Sequence, residues 1–187
     1  MSGPNLKISS QEVFYLPNIL TYLRLLSLPW IYFFLVKENL LAVGLLTLLE
    51  IFIDIFDGIL ARKLNQVSNL GKILDPLVDK IGIGVFAMYA ALHKDFPAWA
   101  AAFVILKDLL ILVGGLLSMT KIKEIPVSDL SGKLAALSWA LCILGYILNL
   151  NLVKQICLVM ALVLTAVSIF RYFRKFLHMV KQTQGHL

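Results

Sequence analysis

Charged side chains are scarce in this 187-residue chain: they make up 15% of it, against 60% hydrophobic residues and a mean hydropathy of +0.88. An ordinary soluble domain is about a quarter charged and about half apolar, and a chain of this length folded in water would expose large apolar patches. A cytosolic globular enzyme is therefore excluded, and the bilayer is the expected solvent. Cysteine is scarcer still. Cys142 and Cys157 lie inside apolar runs with no CxxC or Cys/His spacing, so neither a disulfide framework nor a zinc site is indicated. The three histidines, His93, His178 and His186, are equally scattered. No Arg-rich or aromatic-interleaved polar tract is present, which removes nucleic acid as a partner. Internal repeats and low-complexity tracts are missing too. So is the basic, apolar, small-residue order of a cleaved signal peptide: the first apolar run begins after Pro17 and carries Arg24, and it is expected to stay in the mature protein.

What the chain has in abundance is apolar length. Six runs stand out, at residues 19–36, 40–60, 73–92, 96–119, 134–150 and 153–173, each near the roughly 20 residues needed to cross a bilayer. The expected fold is all-α, an integral membrane bundle of six transmembrane helices forming a single domain over 1–187. Residues 1–17 form an interfacial segment, in which Ser9-x-x-Glu12 has the form of a capping box ahead of Val13, Phe14 and Leu16. It reads as a short N-terminal interfacial helix stopped at Pro17, and 174–187 reads as a cytoplasmic tail.

Seventeen Lys and Arg stand against eleven acids, and their placement orients the bundle. With both termini cytoplasmic, the inner flanks hold Lys7, Arg62, Lys63, Lys72, Lys121, Lys123, Lys133, Arg171, Arg174, Lys175 and Lys181, and the outer flanks only Lys37, Lys94 and Lys154. That asymmetry follows the positive-inside rule. Arg24, Lys80 and Lys107 fall within spans; for Arg24, snorkelling to the surface is the default reading, with pairing to acids second.

The carboxylates are the anomaly. Glu50, Asp54 and Asp57 follow at spacings of four and three in the second run, and Asp75 and Asp79 are four apart in the third, so each set shares a helical face. A lone carboxylate at membrane depth costs about 2.5 to 3.5 kcal/mol, so these groups need a partner, a proton or a cation. The short connection between the two runs makes their helices antiparallel neighbours whose acidic faces meet near the cytoplasmic end. Four carboxylates there repel one another unless a cation sits between them. All-oxygen ligation suits Mg²⁺ or Mn²⁺, and a pair of such ions serves in-line phosphoryl chemistry. Gly58 and Gly71 would let a backbone or ligand approach closely, or merely aid helix packing, and Arg62 offers a fork for phosphate oxygens. Glu50 is either an outer partner of this site or a protonated packing residue.

Asp54-x2-Asp57-Gly58-x2-Ala61-Arg62-x8-Gly71-x3-Asp75-x3-Asp79 resembles the complete signature of the CDP-alcohol phosphatidyltransferase family, with eight fixed residues over 26 positions. The resemblance implies transfer of a phosphatidyl group from CDP-diacylglycerol to an alcohol with release of CMP, at a cytoplasmic site carrying two divalent cations, Mg²⁺ or Mn²⁺. It implies that Asp54 and Asp75 bridge both ions, that Asp57 holds one, and that Asp79 holds the other and takes the acceptor's proton. Gly58, Arg62 and Ser68 would contact the CDP moiety. Pro17-Asn18-Ile19-Leu20-Thr21-x2-Arg24 resembles the opening of the branch that uses glycerol 3-phosphate, where Asn18, Ile19, Leu20 and Thr21 would line the nucleotide pocket. Asn18 is equally placed to cap the first helix. Family members commonly form homodimers, and Gly82 with Gly84, or Gly114 with Gly115, would permit close helix contact.

The acceptor is read from basic residues. Lys107, Lys133 and Arg171 would form a pocket for a phosphorylated acceptor such as glycerol 3-phosphate. The glycerophosphate branch usually shows Arg-Glu where this chain has Lys107-Asp108, and an acid after a base there also resembles cardiolipin-forming members, whose acceptor is phosphatidylglycerol. Intramembrane carboxylates also mark cation or proton transporters, and aspartate-rich membrane prenyltransferases are a further alternative. Both usually come in longer chains.

Overall fold

The computed structural model describes residues 9–121 and 130–184. It is all-helical over these residues. A 3-10 turn at Glu12–Phe14 is followed by α1 (Leu16–Val36), α2 (Leu40–Lys63), α3 (Gly71–His93), α4 (Ala98–Lys121), α5 (Leu130–Ile147) and α6 (Asn151–Gln184). Lys7, Lys123 and His186 lie outside the described residues, as do the side chains of Lys121, Lys175, His178 and Lys181. The chain divides into two compact units, Met1–Ile125 and Pro126–Leu187.

Each apolar run becomes a helix because a helix satisfies every backbone N–H and C=O within itself, which an apolar solvent demands. Helix ends are built without glycine. Glu38, Asn65 and Asn149 adopt left-handed conformations, with φ of 53°, 52° and 54°. In each case the following N–H reaches five residues back: Asn39 to Phe34 at 3.0 Å, Gln66 to Ala61 at 2.9 Å, and Leu150 to Gly145 at 3.0 Å. These are Schellman closures that use up orphan carbonyls, and Asn tolerates the αL position better than most residues. Asn39 then caps α2 by accepting from the Ala42 N–H at 3.1 Å.

In the first unit α1 packs against both α2 and α3, and α3 packs against α4. The acidic faces of the second and third helices come together as expected, Asp54 and Asp79 sharing the Arg24 guanidinium, while α1 supplies the main packing surface for both. The buried core is small: Leu28, Ile31 and Leu35 of α1 join Val78, Ala87 and Ala90 of α3 and Ala100 and Val104 of α4. Tyr32 of α1 meets Tyr89 of α3 edge to face at 6.4 Å. At the far end Lys94 lies 2.6 Å from Glu38; the ammonium holds the Glu38 carboxyl below its ordinary range, and Glu38 raises Lys94. In the second unit α5 packs on α6. Trp139 donates Nε1–H to Thr165 Oγ1 at 2.8 Å, both residues being buried.

The outside is as apolar as the inside. Leu26, Trp30, Leu41, Leu45 and Phe56 in the first unit, and Leu152, Ile156 and Val159 in the second, are more than half exposed, a distribution suited to lipid rather than water. Leu16–Val36 and Asn151–Arg171 are long and apolar enough to cross a membrane, and Ser131–Ile147 is a shorter apolar helix. Two boundaries move. The helix expected to end near residue 173 continues to Gln184, so 174–184 is helical rather than a tail. The expected interfacial helix is one 3-10 turn, and Pro17, read as its stop, lies in the first turn of α1, where its missing N–H costs nothing.

That turn is tied down from a distance. Ser9 N–H donates to Glu12 Oε1 at 3.3 Å, the return half of a capping box. Glu12 Oε2 accepts from the Leu70 N–H at 3.0 Å, so Glu12 caps α3 across 58 residues where Leu70 has no side chain able to do so. Gln66 Oε1 accepts from the Leu16 N–H at 3.2 Å. The Leu70 bond above all lowers the Glu12 pKa. A depressed carboxylate stabilises the fold fully above the ordinary glutamate value and loses that contribution as pH falls through the folded-state value. Thermal melts of detergent-purified protein therefore show Glu12→Gln less stable than wild type at neutral pH, with the gap closing on acidification below about pH 4.

Candidate active site

Polar residues on α1 recur every third position, at Asn18, Thr21, Arg24 and Ser27, and form one stripe along an otherwise apolar helix. Each reaches a different partner on α2, α3 or the loop between them. Asn18 Nδ2 donates to Ser68 Oγ at 3.1 Å and to the Glu12 carbonyl at 2.5 Å. Thr21 Oγ1 donates to Asp75 Oδ1 at 2.9 Å. Arg24 donates through one amino group to Asp54 Oδ1 and through the other to Asp79 Oδ1 at 2.6 Å. Ser27 pairs with Glu50.

Arg24 is the correction of greatest consequence. Its guanidinium is buried, its side chain 8% exposed, so it does not snorkel; it bridges a carboxylate of α2 to one of α3. A planar fork with two spaced donors suits that task, whereas a lysine could satisfy only one helix well. Glu50, one turn from Asp54, keeps outer contact with this site through Ser27 and makes no direct contact with Arg24.

Three of the four signature aspartates thus engage α1, and each does so through Oδ1. Asp57 is different. It is 5% exposed, and its Oδ2 is buried with no hydrogen-bond partner among the described residues. A buried carboxylate oxygen without a donor costs several kcal/mol as an anion, so a cation is the chemically fitting neighbour. Among the described residues no three acidic, imidazole or thiol groups already stand gathered as a cation cage. The donor set nevertheless fits divalent cations: four carboxylates face one guanidinium, and one oxygen is orphaned.

The two signature glycines separate cleanly. A Cβ on Gly71 would lie 2.8 Å from Asn18 Oδ1 and 3.0 Å from Ser68 Oγ, and the Gly71 N–H donates to Ser68 Oγ at 2.8 Å. Gly71 is thus required by packing at the start of α3. A Cβ on Gly58 would meet nothing within 4 Å, so packing does not explain it, and its exposed backbone beside Asp57 is open to a ligand. Asn18 and Ser68, expected to line a nucleotide pocket, are buried and bonded to each other, holding the α2–α3 loop against α1. Thr21 is buried on Asp75; Ile19 is exposed and Leu20 half-buried, turned about the helix away from that bond. Arg62 is exposed in the last turn of α2, where a cation also complements the helix dipole.

In α4, Lys107 Nζ lies 2.5 Å from Asp108 Oδ1, and Lys80 Nζ of α3 reaches the same oxygen at 3.1 Å. Lys133 at the start of α5 and Arg171 in α6 are exposed and belong to the second unit. Of the glycines considered for a dimer seam, Gly82 and Gly84 face contacts within the chain, where Cβ atoms would approach Leu28 at 3.7 Å and Ile105 at 3.9 Å; a Cβ on Gly114 would meet nothing within 4 Å, and the surroundings of Gly115 lie outside what is described. Glu12, Ser27, Gln66 and Lys80 were not anticipated as site residues. The three-residue spacing of polar side chains on α1 is the signal that could have found Ser27 and paired Arg24 inward.

A lipid-suited helical protein with clustered acids, an arginine fork and an open glycine backbone is built for phosphate chemistry at a membrane. The chain belongs to the CDP-alcohol phosphatidyltransferase family, whose profile matches residues 14–167, and it is accordingly a transferase. It is 33% identical over 177 residues to the CDP-diacylglycerol–glycerol-3-phosphate 3-phosphatidyltransferase of Aquifex aeolicus, covering 88% of this chain and 97% of that one. The Rickettsia bellii protein of the same name is 32% identical over 172 residues, 85% of this chain and 93% of its own. A fission-yeast cardiolipin synthase (CMP-forming)/mitochondrial hydrolase fusion protein is 33% identical over 116 residues, 62% of this chain and 19% of that one. No solved structure matches the chain. Membership sets aside the transporter and prenyltransferase readings.

The two glycines generate opposite expectations. Gly71→Ala lowers stability by about 1 to 3 kcal/mol through the forced shift of Asn18 and Ser68, read as a drop in midpoint on denaturation. Gly58→Ala leaves the midpoint unchanged or higher and instead weakens CDP-diacylglycerol binding, read by titration of the purified protein.

Proposed function

We propose that this enzyme transfers the phosphatidyl group of CDP-diacylglycerol to glycerol 3-phosphate, releasing CMP. The observation that carries this is the convergence of Asp54, Asp75 and Asp79 on the α1 stripe of Thr21 and Arg24, beside the orphaned Asp57 Oδ2. Near-full-length relatives named for that reaction support the acceptor. The protein works as an integral membrane bundle of six spans with its site and termini on the cytoplasmic side, in keeping with the excess of Lys and Arg on those flanks. A homodimer is the assembly that the family resemblance favours.

Asp54, Asp57, Asp75 and Asp79 would hold two Mg²⁺ or Mn²⁺ ions, which when bound neutralise the pyrophosphate and stabilise charge on the departing CMP. The chain's own residues do the rest. The acceptor hydroxyl oxygen forms a bond to the phosphatidyl phosphorus as the bond to the CMP oxygen breaks. Asp79 Oδ2 takes the hydroxyl proton; the side chain is half exposed and so reachable, while Arg24 on Oδ1 holds the carboxylate in place. Gly58 admits the CDP moiety to the α2 backbone, and Arg62 faces its phosphates with a planar fork. Asn18 and Ser68, bonded to each other, and Thr21, bonded to Asp75, hold the walls of the nucleotide pocket, and Ile19 and Leu20 flank them. Lys107 attracts the acceptor's charge.

A cardiolipin-type transfer to phosphatidylglycerol is the second reading, favoured by the acid after Lys107 and by the fission-yeast fusion protein. Purified protein assayed for CMP release with CDP-diacylglycerol, Mg²⁺ or Mn²⁺ and a panel of glycerol 3-phosphate, phosphatidylglycerol, serine and inositol phosphate responds to glycerol 3-phosphate. A response to phosphatidylglycerol alone establishes the second reading, and no acceptor-dependent release overturns both. Asp79→Asn lowers turnover by about 10²- to 10⁴-fold while CDP-diacylglycerol binding falls far less, and EDTA abolishes release.

A further inference from the structure

The start of every helix leaves backbone N–H groups without intrahelical partners. Tyr15 before α1 and Leu70 before α3 make no side-chain cap bond to satisfy them. Each helix is served instead by the segment that leads into the other. Glu12 Oε2, ahead of α1, accepts from the Leu70 N–H at 3.0 Å across 58 residues. Gln66 Oε1, ahead of α3, accepts from the Leu16 N–H at 3.2 Å across 50 residues. The two bonds run in opposite directions between the same two segments, so neither helix start is complete without the other.

The carboxylate comes from so far away for a steric reason. Ser68 Oγ accepts from the Gly71 N–H at 2.8 Å, which is one half of a capping box; the other half is a glutamate at the third position after the serine. That position is Gly71, where a Cβ would lie 2.8 Å from Asn18 Oδ1. A glutamate carried by α3 itself would displace Asn18, and Glu12 brings the carboxylate from outside the helix. The Ser9 N–H holds it there through Oε1 at 3.3 Å, and Asn18 Nδ2 ties the same turn by donating to the Glu12 carbonyl at 2.5 Å.

The reacting residues depend on that helix start. Gly71, Asp75 and Asp79 follow one another at four-residue steps along one face of α3, which puts Asp75 about 6 Å and Asp79 about 12 Å along the axis from Gly71. Thr21 and Arg24, which meet Asp75 at 2.9 Å and Asp79 at 2.6 Å, lie downstream of Leu16 on α1. We propose that Glu12 is a positioning residue for phosphatidyl transfer: its bond to Leu70, with the return bond from Gln66 to Leu16, sets the register in which Asp75 and Asp79 meet the polar stripe of α1. This rests on the reading that Asp75 and Asp79 hold the cations and that Asp79 takes the acceptor's proton. A misplacement of about 1 Å at a reacting group can lower a rate on the order of 10²-fold, so a frayed α3 start is felt in turnover as well as in stability.

The test sets Glu12→Ala and Glu12→Gln beside Asn39→Ala, which removes the cap at the end of α2 remote from the aspartates. Each full-length variant is read by its Tm, by kcat for CMP release at saturating substrates, and by Mn²⁺ affinity from electron paramagnetic resonance, at a temperature where all are folded. Glu12→Ala lowers kcat about 10-fold or more and weakens Mn²⁺ binding about as much, and Glu12→Gln, which keeps an acceptor of the same reach, restores most of both. Asn39→Ala lowers Tm, as loss of a cap does, with kcat within about 2-fold of wild type. Where Glu12→Ala does not fold, Gln66→Ala makes the same test through the return bond, with the same losses expected. Wild-type kcat and Mn²⁺ affinity at a lowered Tm in these alanine variants overturn the proposal and mark the bonds as a structural staple only, as does an equal loss of kcat in Asn39→Ala. If wild type releases no CMP, the proposed reaction falls, and the positioning role stands or falls on Mn²⁺ affinity alone.

Discussion

Like-charge repulsion is the constraint around which this protein is organised. Four aspartates on two apolar helices would drive those helices apart or pick up protons, and the buried guanidinium of Arg24 is the fixed charge that opposes this from within the chain. It bonds one carboxylate from each helix, so α1 must lie against both α2 and α3, as it does. Removing either arm leaves the buried guanidinium with one counter-charge fewer. Four aspartates stand against one guanidinium, and Asp57 Oδ2 has no donor among the described residues. That imbalance is the basis for proposing a cation site here.

The remaining architecture keeps that cluster in register. Asn18, Ser68 and Gly71 fit so closely that a Cβ at position 71 would force Asn18 and Ser68 to shift, and this helps fix where α3 begins. Glu12, arriving from the interfacial turn, caps the same helix end. Asp75 and Asp79 then follow one and two turns along a helix whose origin is fixed from three directions. On the other side Asp108 gathers Lys80 and Lys107, so α3 carries acid toward α1 and base toward α4. Negative and positive subsites are thereby separated by the width of a single helix.

Much of this was legible in the sequence, for physical reasons. Apolar length marked all six helices, because an apolar solvent leaves the backbone no alternative to internal bonding. The Asp spacing marked the reacting face, because carboxylates at membrane depth are too costly to be incidental. What escaped was the partner of each polar group. Arg24 was read outward because a lysine or arginine near a helix end has lipid headgroups within reach, and only its three-residue spacing with Thr21 and Ser27 pointed inward. The packing of α1 against both acidic helices was not foreseen, because a short loop fixes only where the two helix ends lie. It does not exclude a third helix packing against both. Lys80 stood out only as a cation within a span, and its bond to Asp108 depends on α3–α4 packing that no local pattern encodes. The single 3-10 turn at Glu12–Phe14 was overread as a helix because its capping pair is genuine while its length allows only one turn.

The proposal at the centre of this account is that the aspartate cluster, with Arg24 as its one ion-pairing cation among the described residues, is a cation site. Its most direct test is a Mn²⁺ titration of the purified protein followed by electron paramagnetic resonance, with and without CDP-diacylglycerol. The account predicts saturable Mn²⁺ binding that CDP-diacylglycerol tightens and that Asp57→Asn weakens by about 10-fold or more. Mn²⁺ binding that does not saturate, or that Asp57→Asn leaves unchanged in a folded protein, contradicts it.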